Sequence, residues 1–294
     1  MANLKDIRTR INSVQTTRQV TSAMKMVSAA KLKKSQDDIS HIRPYTMRLA
    51  SIIQDLRCTS DYDISSCVFT KDNKGDKTII IVVASNRGLC GAFNSNVVKA
   101  VQTLVNDNLK EDYKNGKVVI GVLGKQAEKM LKSRNIKTNF EYNDYILKPS
   151  YAQTRNLANK LLDGFTKGEY KKVYLVYNEF VNAAVQNVQS YQFLPFTIPV
   201  MESGTQRSLQ YLLEPDADAI INSLIPEMLH SMLFQVILES QASENGARMT
   251  SMHKATDNAT ELINDLQLVY NKARQTAITN EIIEVTSGAD ALSG

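Results

Sequence analysis

The final part of the chain, from Ile225 onward, carries apolar residues at helical spacing with little to interrupt them. No proline follows Pro226, and Gly246 is the one glycine before Gly288. Because proline and glycine are the residues that most often end a helix, this pattern predicts a single helix over most of the segment. From Pro226 to Ser287 it would be roughly 90 Å long at about 1.5 Å per residue, so it needs a partner.

One row of apolar residues in this helix recurs at steps of three and four. It consists of Met252, Ala255, Ala259, Leu262, Leu266, Val269 and Ala273. This spacing is typical of the seam of a left-handed coiled coil. Upstream, the apolar residues from Met228 to Ile237 form a wider stripe, which indicates packing against more than one neighbour. A long helix buried in its own domain is the alternative reading of the spacing.

The beginning of the chain has a similar pattern. Its apolar residues are Leu4, Ile7, Ile11 and Val14, followed after a phase change by Val20, Met24, Val27 and Leu32. They predict a first helix that runs to about Arg57, with Pro44 as a point of disturbance. Residues 1–48 contain ten Lys or Arg against three acids, and residues 206–294 contain five against twelve. Opposite charge and similar seams predict that the two terminal helices pair in antiparallel fashion.

Between these helices the apolar period changes to that of β-strands. Residues 78–84 and 117–123 are apolar, β-branched runs that are each followed by a helical segment, and residues 136–142 are a third candidate strand. Residues 173–177 and 185–193 are predicted to form a hairpin. Alternating strands and helices indicate an open, largely parallel sheet with one antiparallel edge.

The predicted fold class is therefore α/β. It consists of a long antiparallel coiled coil of the N- and C-terminal helices with an inserted Rossmann-like open α/β domain. We predict three segments: a helix over residues 1–58, the α/β domain over residues 77–205 and the last helix over residues 210–294.

Motifs for enzyme chemistry are incomplete in this sequence. Residues 121–126 (GVLGKQ) resemble the end of a phosphate loop, but Val119 stands where the motif needs glycine and Gln126 where it needs Ser or Thr. Neither Cys58, Cys67 and Cys90 nor His41, His230 and His253 have the spacing of a metal site or of a disulfide framework. We expect no catalytic residue, no cofactor and no metal in this chain.

The turn Ser85–Gly91 (SNRGLCG) follows the first predicted strand, where an open α/β sheet usually binds ligands. It lacks the full GxGxxG spacing, so its glycines are expected to permit a tight turn and close packing. Cys90 has no histidine near it in the sequence and is expected to be a core thiol. A small-molecule site at this turn remains an alternative.

Composition and charge limit the cellular role. With 43% apolar residues among 294, the chain can bury a sizeable core. The basic first helix has an acidic partner in the same chain, so we do not expect nucleic-acid binding. The first residues contain no apolar run of signal-peptide length, and no segment reaches the roughly twenty apolar residues of a membrane span. We expect a protein of a reducing compartment without direct membrane insertion.

The most specific motif is ITNEIIEVTSGADAL at residues 278–292. It resembles the C-terminal signature I-T-x-E-x-x-E-x-x-x-G-A of the gamma subunits of F-type ATP synthases, and it matches at each of those positions. The resemblance extends in the right order to four further segments, which are residues 5–32, 85–94, 239–259 and 270–275.

This resemblance implies a function. The chain would be the central rotor stalk, which transmits torque between the membrane c-ring, driven by ions, and the catalytic ring of three alpha and three beta subunits. Its partners would be alpha, beta, epsilon and the c-ring, with no homo-oligomer, and catalysis would lie on the beta subunits. Without a presequence or an inserted cysteine pair, it resembles the bacterial type, peripheral on the cytoplasmic face of the plasma (inner) membrane. A static coiled-coil scaffold and a small-molecule-binding α/β protein are the alternatives.

The resemblance also implies roles for individual residues. Those that would contact a beta subunit are Arg274, Gln275, Thr279, Glu281 and Glu284. Arg274 and Gln275 match positions that catch a beta-subunit loop, and a guanidinium suits contact with a carboxylate. Met24 and Arg248 match a coupling region near the beta-subunit lever. Each has a plainer reading: a solvated charge for Arg274, a residue of the helix face for Glu281 and seam packing for Met24.

Overall fold

The computed structural model describes residues 4–59, 67–197, 213–214 and 216–293. The elements, in chain order, are α1 (Leu4–Thr59), β1 (Lys77–Val83), α2 (Phe93–Asp107), α3 (Lys110–Lys114), β2 (Val118–Leu123), α4 (Lys125–Lys132), β3 (Phe140–Glu141), a 3₁₀ turn (Asn143–Ile146), α5 (Tyr151–Thr166), β4 (Tyr170–Phe180), β5 (Gln186–Leu194) and α6 (Ala217–Ser293). The predicted fold class is confirmed. The ends of the predicted segments at 205 and 210 and the side chain of Cys58 lie outside the described residues, and the three-segment division stays a prediction.

The chain divides into two compact units. We call residues 1–28 with 249–294 the coil unit and residues 29–248 the α/β unit. The α/β unit contains a five-stranded sheet in the order β3-β2-β1-β4-β5. The first four strands are parallel and β5 is antiparallel to β4, as predicted. The third predicted strand is reduced to the two residues of β3.

The central strand β1 explains the layers of the α/β unit. Its residues 78–83 are all buried, because both faces of the strand are covered. Ile79, Ile81 and Val83 pack in a core that includes α5 and the parts of α1 and α6 in this unit. Ile80 and Val82 face the opposite way and pack against α2 and α4. Alternation along a strand therefore places one helical layer on each face of the sheet.

The hydropathy of α6 within the α/β unit corrects one expectation from the sequence. Within the described residues, α6 contains an 18-residue stretch with a mean hydropathy of 1.3, long and apolar enough to cross a membrane by length and composition alone. The sequence pattern predicted no such stretch. Half of this stretch is buried inside the protein, and Met228, Leu229, Leu233 and Ile237 pack in the core. A core helix therefore accounts for the hydropathy.

The seam of α1 in the coil unit contains small polar residues beside apolar ones. Ile7, Thr21 and Ser28 are buried, whereas Val20 and Val27 are 52% and 56% exposed. The predicted phase change after Val14 is therefore wrong, since the buried row continues at steps of three and four through polar positions. The hydroxyl of Thr21 donates to the carbonyl of Arg18 at 3.1 Å. Because its donor is satisfied locally and its volume is small, threonine can occupy a seam where helices approach closely.

The seam of α6 in the coil unit lies to one side of the predicted row. Its buried and half-buried positions are Met252, Ala255, Thr256, Ala259, Ile263, Leu266, Tyr270 and Ala273. Leu262 and Val269, which the sequence pattern placed in the seam, are 38% and 52% exposed, whereas Ile263 is 4% exposed. The hydroxyl of Thr256 donates to that of Thr21 at 2.9 Å. This cross-helix bond places the Thr256 side of α6 in the seam. Apolar periodicity alone does not predict this orientation.

Polar contacts also join the two helices within the α/β unit. Thr46 donates to Gln235 at 2.7 Å, and Ser35 donates to Gln241 at 3.3 Å. The chain numbers rise along α1 as they fall along α6, so the predicted antiparallel pairing is confirmed. The predicted attraction between the basic and acidic ends is seen at Arg43, whose guanidinium lies 2.9 Å from the buried carboxylate of Glu239.

The buried seam leads to a prediction that opposes simple hydrophobicity. Ser28→Leu should lower the free energy of unfolding of the full chain by about 1–3 kcal/mol, because the larger side chain overfills the seam. The neighbouring Val27→Ser removes an apolar side chain that is already exposed, so it should change this free energy by less than about 0.5 kcal/mol. Urea unfolding followed by circular dichroism measures both. A larger loss for Val27→Ser than for Ser28→Leu would refute the observed seam.

A carboxylate links three helices at the other end of the α/β unit. Glu227 accepts a hydrogen bond from Tyr151 at 2.5 Å and one from Tyr45 at 3.5 Å. The ring of His230 lies one helical turn away, 4% exposed, and its Nε2 is 2.6 Å from the amide oxygen of Asn159. The bond from Tyr151 lowers the pKa of Glu227. Burial lowers the pKa of His230 below its ordinary value of 6.5, although Glu227 opposes this shift.

This junction predicts a loss of stability in acid. A lowered pKa means that the folded state binds protons less readily than the unfolded state, so the free energy of unfolding falls as the pH falls below about 6.5. His230→Gln cannot be protonated and should weaken the dependence between pH 7 and 5. The exposed His41 serves as the control, and His41→Gln should keep the wild-type dependence. Denaturant titrations at several pH values measure the slopes, and equal slopes in wild type and His230→Gln would contradict the assignment.

Candidate functional site

The carboxyl edge of the sheet, where related architectures bind ligands, is filled by the protein's own groups. The first backbone N–H groups of α4 are already bonded: that of Lys125 to the side-chain oxygen of Asn86 at 3.0 Å and that of Gln126 to the carbonyl of Ser85 at 3.1 Å. The N–H of Gly124 donates to the side chain of Asn143 at 3.0 Å. These are the donors that a phosphate loop would offer to an anion. The phosphate-loop resemblance of residues 121–126 is therefore not matched by available donors, because these N–H groups are bonded within the chain.

The turn 85–91 is built around a buried polar network. The backbone N–H of Ser85 donates to the side-chain oxygen of Asn94 at 3.0 Å, and the amide of Asn94 donates back to the Ser85 hydroxyl at 2.7 Å. Cys90 lies beside them and is 2% exposed. Its burial raises the pKa of the thiol, so the reactive thiolate is disfavoured. The interpretation of Cys90 as a core thiol is confirmed.

At its tip, the same turn displays an apolar side chain. Leu89 is 64% exposed and has a left-handed backbone conformation with φ 62°. Such a conformation costs about 1–2 kcal/mol for a residue with a Cβ atom, so the surrounding structure has to enforce it. Arg248 supplies part of that constraint, since its guanidinium donates to the carbonyl of Arg87 at 3.2 Å and to that of Gly88 at 3.4 Å.

The two predicted coupling residues have different surroundings. Met24 is half-buried in the coil unit, next to Lys25, whose Nζ lies 3.2 Å from Nδ1 of His253 on α6. Arg248 is the last residue of the α/β unit, and its Nη2 lies 2.6 Å from the carboxylate of Glu244. The family resemblance implied that Arg248 lies near a partner subunit, whereas its contacts in the structure are with residues of its own chain.

The five predicted contact residues all lie on the exposed end of α6. They are Arg274, Gln275, Thr279, Glu281 and Glu284. A helix turns about 100° per residue, so Arg274 and Glu281 fall in one row, and Gln275 and Thr279 in a second row roughly 130° around the axis. The hydroxyl of Thr279 donates to the carbonyl of Gln275 at 2.9 Å, within the helix. The five residues are thus distributed around more than half of the circumference of one exposed helix end.

The sequence argument missed the apolar residues that share this surface. Ile278 is 47% exposed, Ile282 is 59%, Ile283 is 54% and Val285 is 68%. Every residue from 274 to 289 is exposed. A contiguous exposed surface of this kind, with apolar and charged rows side by side, is typical of a segment that contacts another protein. The alternation of isoleucines with the acids was visible in the sequence and could have indicated it.

Metal chemistry receives no support within the described residues, where no cluster of three or more His, Cys, Asp or Glu side chains could hold an ion.

Gly124 provides a test of the filled cleft. It has φ 121°, and a Cβ atom there would lie 2.4 Å from the carbonyl oxygen of Ala84. Gly124→Ala should therefore lower the free energy of unfolding by about 3 kcal/mol or more. Gly116 is a matched control, since it has φ 70° with no atom within 4 Å of an added Cβ. Gly116→Ala should cost only about 1–2 kcal/mol from backbone strain. Denaturant unfolding compares the two, and equal losses would contradict the close approach.

Comparison with known proteins gives a consistent picture. The chain matches the family described as ATP synthase over residues 3–292. It is 46% identical to the ATP synthase gamma chain of Flavobacterium johnsoniae and 38% identical to that of a Geobacter species, with 100% of both chains covered in each case.

Solved structures with a similar fold include two mitochondrial assemblies. A chain of the Euglena gracilis mitochondrial ATP synthase rotor, in rotational state 1, has a TM-score of 0.61 at 19% identity and covers 94% of this chain and 98% of its own. A chain of the central stalk and c-ring structure from Tetrahymena thermophila has a TM-score of 0.55 at 21% identity, with coverage of 80% and 99%.

Proposed function

The chain belongs to the family of ATP synthase gamma chains, and on that basis we propose that it is the central stalk of an F-type ATP synthase. It turns within a ring of three alpha and three beta subunits and contacts the epsilon subunit and the c-ring. It has no catalytic site of its own. The observation that carries this proposal is the end of α6, where all residues from 274 to 289 are exposed.

Exposed apolar side chains at the end of α6 are unfavourable in water unless a partner covers them. Ile282, Ile283 and Val285 are each more than half exposed, and burying such side chains against a partner would stabilise an assembly by about 25 cal/mol per Å² of apolar area. An acidic row formed by Glu281 and Glu284 lies on the same helix. The helix therefore presents different chemistry in different directions around its axis.

This difference in direction is what a rotary mechanism needs. Three chemically identical catalytic subunits acquire different nucleotide affinities only if each meets a different surface of the stalk. The coupling free energy between rotation and nucleotide binding is then the difference between those contacts, and it acts in both directions. Torque from ion flow thus favours ATP synthesis, and ATP hydrolysis drives the reverse rotation. A static scaffold would have no need for unlike faces.

Specific roles follow for the exposed residues. Arg274 and Gln275 catch a beta-subunit loop, because a guanidinium and an adjacent amide together can bind a carboxylate with directional hydrogen bonds. Thr279, Glu281 and Glu284 line the same contact. Met24 contributes to coupling from α1, where it is half-buried beside the seam.

The position in the cell is inferred from the family. Membership places the chain in a membrane-associated ATP synthase complex. The full-length similarity to bacterial gamma chains supports a peripheral location at the cytoplasmic face of the bacterial plasma (inner) membrane.

The proposed contact of Arg274 and Gln275 with a beta-subunit loop, here called the catch, is tested in the reconstituted complex. Arg274→Ala with Gln275→Ala should lower ATP turnover about tenfold, the equivalent of about 1.4 kcal/mol of lost contact, while assembly with the alpha and beta subunits stays intact. Asn280→Ala is the matched control, because Asn280 is exposed on the same helix but lies about 120° around its axis from Arg274 and about 140° from Gln275. The control should turn over ATP at the wild-type rate. Wild-type turnover in the double variant would remove the catch assignment.

A further inference from the structure

Residues 244–248 of α6 lie where two separate parts of the α/β unit close on the helix. One part is the turn 85–91 after β1, and the other is the connection 181–185 between β4 and β5. All of these residues belong to the same compact unit. The two contacts differ in chemistry, and each fixes the helix in a different way.

The first contact is made by hydrogen bonds from a buried cation. The guanidinium of Arg248 bonds the carbonyls of Arg87 and Gly88, and the Glu244 carboxylate lies 2.6 Å from its Nη2. The side chains of Glu244 and Arg248 are only 12% and 11% exposed. The carboxylate compensates the buried charge, while the planar donor set of arginine reaches both carbonyls and the carboxylate together. A lysine ammonium cannot reproduce this geometry.

An apolar contact lies directly beside these hydrogen bonds. Ala247 packs against Cys90 and Phe93 in a small buried cluster. The methyl group of alanine lets the turn and the start of α2 come close to the helix. The turn 85–91 is therefore held both by directional bonds and by close packing.

The second contact is a close approach of two backbones. A Cβ atom added at Gly246 would lie 3.2 Å from both Cα and the carbonyl oxygen of Ala183. The tip that carries Ala183 is held by its own bonds, since the side-chain oxygen of Asn182 accepts from the N–H groups of Ala184 and Val185 at 2.9 and 2.8 Å. Glycine inside a helix costs about 1 kcal/mol relative to alanine, and here it permits this approach.

The two contacts are also connected to each other. The buried side-chain amide of Asn178, on β4, donates to the carbonyl of Phe93 at 3.2 Å. Phe93 begins α2 directly after the turn, and β4 leads into the tip. The turn and the tip are thus parts of one bonded assembly that surrounds residues 244–248.

We propose that this assembly is a seat that fixes α6 in the α/β unit and passes torque into the last helix, with Glu244, Gly246 and Arg248 as positioning residues. The inference rests on the proposed stalk function. Apolar packing between helices is not directional and resists sliding weakly. Hydrogen bonds to two specific carbonyls and a close backbone contact at Gly246 define a single register. Under load, these contacts hold the helix against rotation about its own axis.

The seat is tested first by hydrogen exchange on the assembled complex. Arg248→Lys should speed amide exchange at the two ends of the turn, Ser85 and Phe93, by about tenfold, because their N–H groups are bonded to Asn94 and Cys90 in the turn that Arg248 holds closed. Gly246→Ala should have a comparable effect at residues 182–186 instead. Arg48→Lys, at an exposed arginine of the same unit, and Gly288→Ala, where an added Cβ meets no atom within 4 Å, are the controls and should leave both segments at wild-type exchange.

The second measurement is rotation under load. In the combined variant Arg248→Lys with Gly246→Ala, the maximal torque should fall by about twofold or more, since a loosened seat yields under force, while Arg48→Lys should keep the wild-type torque. Wild-type exchange in both single variants, or loosened segments with full torque, would overturn the seat and leave the stalk function standing. Failure of the wild-type chain to assemble with the alpha and beta subunits would instead refute the proposed function.

Discussion

The structure depends on how closely α1 and α6 approach each other. Small polar side chains make this approach possible, and the Thr21–Thr256 hydroxyl pair in the coil unit shows the principle most clearly. A seam of leucines would give a larger apolar contact but a wider separation between the axes. A seam with hydroxyl groups buries less apolar surface and therefore gains less hydrophobic stabilisation. It defines the register of the two helices, because each cross-helix hydrogen bond is satisfied in one alignment only.

The polar seam has a consequence for the outer surface. Small polar residues occupy several inner positions beside apolar ones, and many apolar residues of the coil unit lie outside, among them Val20, Val27, Leu268 and Ile282. In an isolated protein such a surface favours association. On the proposed stalk function, the same residues are available for contact with neighbouring subunits. Polar groups therefore help to specify the pairing of the two helices, and exposed apolar groups are left for partners.

The sequence predicted the parts of the fold that follow from hydrophobic periodicity and from the positions of proline and glycine. The buried run of β1 and the largely parallel sheet with one antiparallel edge could be anticipated, because each follows from a local pattern and from general rules for α/β units. The seam positions could not, since periodicity ranks Leu262 above Ile263 and Val27 above Ser28, whereas the structure buries the second member of each pair. That choice depends on the partner helix. The contacts of Arg248 were likewise hidden, because they join residues 160 positions apart.

On the proposed stalk function, the α/β unit puts the architecture of a ligand-binding domain to a mechanical use. Its carboxyl edge holds asparagine side chains where an anion would bind, and the turn that would cradle a phosphate instead holds a helix through Arg248. A site that releases its ligand must leave its donors unpaired for part of the cycle, and unpaired donors make a loop compliant. When those donors are bonded permanently within the chain, the loop becomes stiff. On the proposed stalk function, a domain that transmits force gains from that exchange, which gives a physical reason for closing this edge of the sheet with the chain's own side chains.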